Sequence, residues 1–217
     1  MTKDNPTTSL RKEYLDAMRQ GSGRMADKVV ETALDQQVKA NDIYLDIFQN
    51  TAYEIGRMWQ RNEFSVAQEH LATAIIERQM GDLRPYFKPL RNREKRLVIG
   101  SVEKEFHRVG VRMVADFFEQ DGWDVYYLGA AVPTETFIAM ARDFNADLIG
   151  LSAQMVYHVP AIMNFVKELN RQGLGDIPVM AGGYPFVQNP DLYLKLGVHF
   201  SGTNARNALK LANDLIQ

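Results

Sequence analysis

Residues 97–110 read Leu97-Val98-Ile99-Gly100-Ser101-Val102-Glu103-Lys104-Glu105-Phe106-His107-Arg108-Val109-Gly110. The short apolar run Leu97–Val102 reads as a buried strand of a parallel sheet. The residues after that run set an imidazole, His107, at the mouth of the sheet, with the carboxylate of Glu105 just before it and Gly110 just after. Neutral imidazole is a good ligand for a transition metal, and a carboxylate on its other ring nitrogen would fix its tautomer.

Beyond this stretch, short apolar runs alternate with helical patterns. Leu97–Val102, Asp124–Leu128, Leu148–Ser152, Pro178–Ala181 and Val198–Ser201 read as strands. Val109–Gln120, Thr134–Phe144, Val159–Arg171 and Asn204–Ile216 read as helices, with a short helical turn after the fourth strand. Strands alternating with helices predict a doubly wound parallel sheet joined by right-handed crossovers, with the flavodoxin-like order 2-1-3-4-5. In such a sheet ligands bind beyond the carboxyl ends of the strands, near the point where strand order reverses. His107, Ser152 and the pair Gly182-Gly183 all fall on that rim.

Toward the N-terminus, apolar residues recur at helical spacing. Leu10, Tyr14, Leu15 and Met18 mark one helix; Met25, Val29, Val30 and Leu34 mark a second that ends near Lys39. Asn41-Asp42 are expected to cap a third, carrying Ile43, Ile47, Ala52, Ile55 and Trp59. Ser65 and Gln68 form a capping box for a fourth, running toward Met80. The expected organisation is a four-helix bundle over residues 1–83, a basic, proline-containing solvated linker over 84–96, and a Rossmann-type α/β domain over 97–217.

Composition narrows the chemistry. The chain has 217 residues, of which 46% are hydrophobic, and a formal charge of −2, so nothing in its overall electrostatics calls for nucleic acid or an anionic membrane. With no cysteine, disulfides, thiolate ligands and thioether attachment of a cofactor are excluded. The polar start and the lack of a long apolar run point to a cytoplasmic address without a membrane span.

Glu105-Phe106-His107-Arg108-Val109-Gly110, Ser152 and Gly182-Gly183, at these spacings, resemble the cobalamin-binding signature of methionine synthase, the mutases and the corrinoid proteins. The resemblance implies that the cofactor's own base swings away, that its nucleotide tail enters a channel in the α/β domain, and that His107 becomes the lower axial ligand of cobalt. Glu105 stands where the family usually has aspartate; the extra methylene keeps the acceptor and changes its reach. Ser152 would bond the displaced base or its surroundings, and Gly182-Gly183 would let the tail pass close to backbone. Gln154 replaces a common leucine and would form a polar wall to the tail pocket. His158 could face the ligand but is read first as a packing or capping residue at the start of the following helix, and His199 as a strand residue.

Trp59 and Glu69-His70 reproduce a W-x9-EH pattern. It resembles the cap of light-sensing, adenosylcobalamin-dependent regulators of the carotenoid-synthesis type. That resemblance implies a cap over the upper corrin face, with Trp59 packing against the upper ligand, Glu69 hydrogen-bonding the adenosyl group, and His70 supporting that region. Gln60 stands where some members have a histidine able to take the upper cobalt position after photolysis.

The expectation is therefore a cobalamin-binding photoreceptor, not an enzyme, with adenosylcobalamin as cofactor and methylcobalamin or hydroxocobalamin as alternatives. It would act through a regulatory partner, in transcriptional control, or through self-association, with no DNA-binding module in the chain. The alternative is a corrinoid methyl carrier of a methyltransferase system; a third reading is a cobalamin storage or interaction module.

Overall fold

The computed structural model describes residues 6–216, so residues 1–5 and 217 of the expected domains lie outside it. The chain divides into two units, Met1–Phe87 and Lys88–Gln217.

The first unit is helical. Helix α1, Pro6–Arg19, buries Leu10, Tyr14 and Met18. Helix α2, Gly23–Asp35, begins where the Ser22 hydroxyl accepts from the Met25 N–H. It stops short of Lys39 because Gln37 turns left-handed, with φ at 60°, and the Val38 N–H closes back onto the Ala33 carbonyl at 2.9 Å.

The next helical stretch begins with α3, Ala40–Asp42, passes through a π-helical segment, Ile43–Gln49, and continues as α4, Asn50–Gln60. Asn41 and Asp42, expected as caps, lie inside its first turn, and Lys39 holds the capping position without a side-chain bond. The π segment has no signature in the sequence. Wider turns leave carbonyls without their usual partners, and the Asn50 amide donates to the carbonyls of Leu45 at 3.0 Å and Asp46 at 3.2 Å.

Helix α5, Val66–Leu83, starts on the expected capping box: the Gln68 N–H donates to the Ser65 hydroxyl, and the Ser65 N–H to the Gln68 side chain. Inside the unit, the rings of Tyr14, Tyr44, Phe48 and Phe87 pack at centroid distances of 4.5–5.8 Å. The Tyr14 hydroxyl donates to Gln79, whose amide donates to Asp27 at 2.8 Å; Arg78 also donates to Asp27.

The second unit is a five-stranded parallel sheet ordered β2-β1-β3-β4-β5. Its strands are β1, Arg96–Ser101, β2, Asp124–Gly129, β3, Leu148–Ser152, β4, Val179–Gly182, and β5, Phe200–Ser201. The order is the flavodoxin-like one, with the reversal between β1 and β3. Helices α6, Val109–Asp121, and α10, Ala205–Leu215, cover the face onto which Leu97 and Ile99 point. Helices α7, Thr134–Asp143, and α8, Val159–Arg171, cover the face that takes Val98. Alternate residues of β1 thus feed two cores, as a strand period of two requires. The short helix α9, Tyr184–Gln188, comes after β4.

Two expectations change. Strand β5 has two residues, where Val198–Ser201 was expected. The His199 ring explains the shortening: its Nδ1 accepts the Val179 N–H at 3.1 Å, a bond the next rung of the ladder would have made. The basic segment before β1 is also not simply solvated. The N–H groups of Leu90 and Arg93 donate to the carbonyls of Gln120 and Gly122, while the Arg91 and Arg93 guanidinium groups pair with the buried Asp121 carboxylate.

Candidate cofactor site

At the carboxyl ends of the central strands, Ser101, Ser152 and Gly182 stand side by side in the sheet register. The chain leaves β1 through a tight loop in which Lys104 turns left-handed, with φ at 67°, and the Glu105 N–H donates to the Val102 carbonyl at 3.0 Å. The buried Ser101 hydroxyl donates to the His107 carbonyl at 2.8 Å. The far side of the loop is held where the Ala131 N–H donates to the Glu105 carbonyl at 2.8 Å.

This loop drives the Glu105 carboxylate inward until it is fully buried. Oε1 accepts the His107 backbone N–H at 3.0 Å and lies 2.5 Å from His107 Nδ1. Oε2 accepts the N–H groups of Gln154 at 2.8 Å and Met155 at 3.1 Å, and lies 2.9 Å from His158 Nδ1. A buried charge survives only when its lone pairs are met by donors, and here they are. Burial by itself pushes the Glu105 pKa up; hydrogen bonds from the His107 ring, the His107 N–H, the His158 ring and the Met155 N–H outweigh it and hold the value at about 2. An ionised carboxylate only accepts, so both rings carry their proton on Nδ1. For a neutral His107 that leaves the Nε2 lone pair on a half-exposed side chain.

Around this imidazole, Arg108 holds the position before α6, Val109 begins the helix, and the Cβ position of Gly110 meets nothing within 4 Å. Among the described residues the Ser152 hydroxyl has no hydrogen-bond partner. The two glycines differ in role. A Cβ at Gly182 would enter open space, whereas one at Gly183, with φ at 121°, would lie 2.1 Å from the Ala153 carbonyl oxygen. Gln154 is not only a wall: its side-chain oxygen accepts the Tyr184 N–H at 3.2 Å and ties the β3 loop to the start of α9.

These residues fit a corrinoid. A single imidazole with its second nitrogen held by a carboxylate is chemically suited to hold a transition metal, and the Cβ position of Gly182 on the same rim opens into space. Sequence reasoning missed the grip of Ser101 on the loop and the place of His158 on Glu105. The polar Ser101 inside an apolar strand end was the available signal for the first; nothing in the spacing pointed to the second.

In the helical unit, Trp59 sits in the last turn of α4 and is 38% exposed. Glu69 accepts from the Thr73 hydroxyl at 2.9 Å and lies 3.6 Å from Nε2 of the exposed His70.

A family model described as a B12 binding domain matches residues 95–210, and a second of the same description matches residues 10–83. Dimethylamine corrinoid protein 3 of Methanosarcina mazei is 35% identical over 122 residues, 55% of this chain and 71% of that protein. Dimethylamine corrinoid protein 1 of Methanosarcina acetivorans is 34% identical over 122 residues, so the match spans 56% of the length of that relative. Trimethylamine corrinoid protein 1 of Methanosarcina acetivorans is 25% identical over 198 residues, 89% of this chain and 91% of the relative. In fold, the chain is similar to the monomethylamine corrinoid protein of Methanosarcina barkeri, with a TM-score of 0.85 at 22% identity over 96% of this chain and 99% of that one.

These likenesses overturn the expectation of a photoreceptor in transcriptional control. The relatives are named as methylamine corrinoid proteins, not as light-dependent regulators, and the W-x9-EH pattern lies in a helical segment that itself matches a B12 binding domain. The pattern falls where α4 ends and α5 begins; it does not specify a light response. The relatives' names do not bear on the contacts expected of Trp59, Glu69 and His70, which lie at the end of α4 and the start of α5. The relatives accord with a cofactor-binding protein that is not itself a catalyst. Among the described residues, no helix is long and apolar enough to cross a membrane. The chain belongs to the B12-binding corrinoid protein family.

Proposed function

We propose that this chain is a corrinoid methyl carrier in a methyltransferase system that draws on a methylated amine. The observation that carries the reading is His107, half-exposed, with its Nδ1 proton held by the buried Glu105 carboxylate. The names of its dimethylamine and trimethylamine relatives support the choice of methyl source.

Bound cobalamin would supply a cobalt centre able to accept and give up a methyl group. His107 is the residue that would hold the cobalt, through Nε2. Glu105 keeps the proton on Nδ1 and, as an acceptor of that bond, makes the imidazole a stronger donor. Ser101 and the Glu105 loop hold the ring's backbone in place. We assign the Ser152 hydroxyl and the space beside Gly182 to the nucleotide tail. Gly183 and Gln154 keep the neighbouring loops closely joined. Arg108 precedes α6 and Val109 and Gly110 begin it; these residues would lie beside the cofactor, with the bare backbone of Gly110 leaving its path open. The partners would be two methyltransferases, one loading and one unloading the carrier, and the upper ligand in service would be methyl in place of adenosyl.

The test is to load the purified protein with hydroxocobalamin, reduce it, and offer mono-, di- and trimethylamine with an amine-specific corrinoid methyltransferase in the dark. Appearance of the methylcobalamin spectrum with one of the amines is the expected result. Failure to retain cobalamin, or retention without methylation by any amine, would overturn the proposal.

A further inference from the structure

We propose that His158 is a positioning residue for His107, acting through the carboxylate they share, so that the loop between β3 and α8 sets the direction in which the axial imidazole points. The inference rests on the assignment of His107 to cobalt and adds a residue to it.

Hydrogen bonds to a carboxylate prefer the plane of the group, along its lone pairs. On Oε2, the N–H groups of Gln154 and Met155 come from neighbouring residues of one loop, and His158 Nδ1 is the third donor, from the start of α8. Among the described residues, Oε1 carries only the bonds to His107. The plane of Glu105 is therefore fixed from the Oε2 side, and it dictates where Oε1 meets the His107 ring.

His158 is suited to this task. Its side chain is 16% exposed, and the Tyr157 ring packs edge-on against it at 4.4 Å. It stands at the capping position of α8 yet makes no side-chain capping bond, so the ring is committed to Glu105 rather than to the helix end. Pro160 in the first turn anchors that end of α8.

The full chain, loaded with hydroxocobalamin and reduced by one electron, is examined by electron paramagnetic resonance, where an axial nitrogen splits the cobalt lines into triplets. Wild type is compared with His107→Ala, His158→Ala, His158→Leu and His158→Asn, Leu filling the space of the ring without a donor. We expect the triplets to be lost in part of the population of the Ala and Leu variants, with affinity for hydroxocobalamin weakened about tenfold, the lower end of what removing an outer partner of a metal ligand costs. His158→Asn, whose amide can donate to Oε2, should restore both. Full triplets and unchanged affinity in the Ala and Leu variants would overturn the role of His158, while their loss in His107→Ala would keep His107 as the source of the nitrogen. Equal loss in Ala, Leu and Asn would assign the residue to loop packing and overturn it as well. A wild type without axial-nitrogen triplets would overturn both this inference and the His107 assignment.

Discussion

Glu105 grips His107 twice, at the backbone N–H 3.0 Å away and at ring Nδ1 2.5 Å away, through a single oxygen. Replacing Glu105 with Ala leaves the partly buried donors of two loops facing a void. Donors left without their acceptor cost about 1–3 kcal/mol. The urea midpoint of the cobalamin-free protein should fall accordingly, and a Glu105→Ala midpoint equal to wild type would contradict a buried, fully bonded carboxylate.

Gly182 and Gly183 should respond differently to the same substitution. Gly183→Ala must relieve a 2.1 Å clash with the Ala153 carbonyl at a φ of 121°, a strain of about 1–3 kcal/mol, so the thermal midpoint should drop. Gly182→Ala meets no protein atom within 4 Å and should leave that midpoint near wild type while weakening cobalamin binding. Equal midpoints for the two variants would refute the distinction.

In the helical unit, burial raises the Asp27 pKa but is outweighed by hydrogen bonds from Arg78 and Gln79, and the net shift is downward from 3.8. A carboxyl whose folded pKa is depressed stabilises the fold above its unfolded pKa and loses that contribution as pH falls through the folded value. Between pH 5 and pH 2 (about the span of an aspartate titration), wild type should lose more stability than Asp27→Asn. Parallel acid profiles from chemical denaturation would count against the Tyr14–Gln79–Asp27 chain.

Asp121 binds Arg91, Arg93 and Asn213 while only 5% exposed. Asp121→Ala should release the segment before β1, visible as faster hydrogen exchange at the Leu90 and Arg93 amides, which donate to Gln120 and Gly122. Unchanged protection at both amides would show that the backbone bonds hold the strap unaided.

Much of the α/β unit was legible because its signals are local and agree with one another. Leu148–Ser152 is a short apolar run and Val159–Arg171 a periodic one, and both elements fall where the pattern puts them. The π segment Ile43–Gln49 was illegible because its apolar spacing suits an ordinary helix; only the Asn50 bonds reveal the wider turns. The shortened β5 depends on a side chain, His199, reaching a neighbouring strand, and the basic strap depends on Asp121, which lies beyond β1 in sequence. At the site, the nearness of Glu105 to His107 could be read from two positions in a loop. The meeting of Glu105 with His158 required the β1–β3 pairing to exist first. The helical pattern around Trp59 was readable as architecture, but the identity of the upper ligand was not, since packing residues do not record which group they pack against.

The donors that hold Glu105 come from the loop after β1 and from the loop after β3, with β2 and its flanking helices lying between them in the chain. A nascent polypeptide that has emerged only through His107 therefore possesses the imidazole but not the clamp. The clamp closes only when β3 has docked beside β1, so under the proposed function cofactor capture would act as a checkpoint on completed topology.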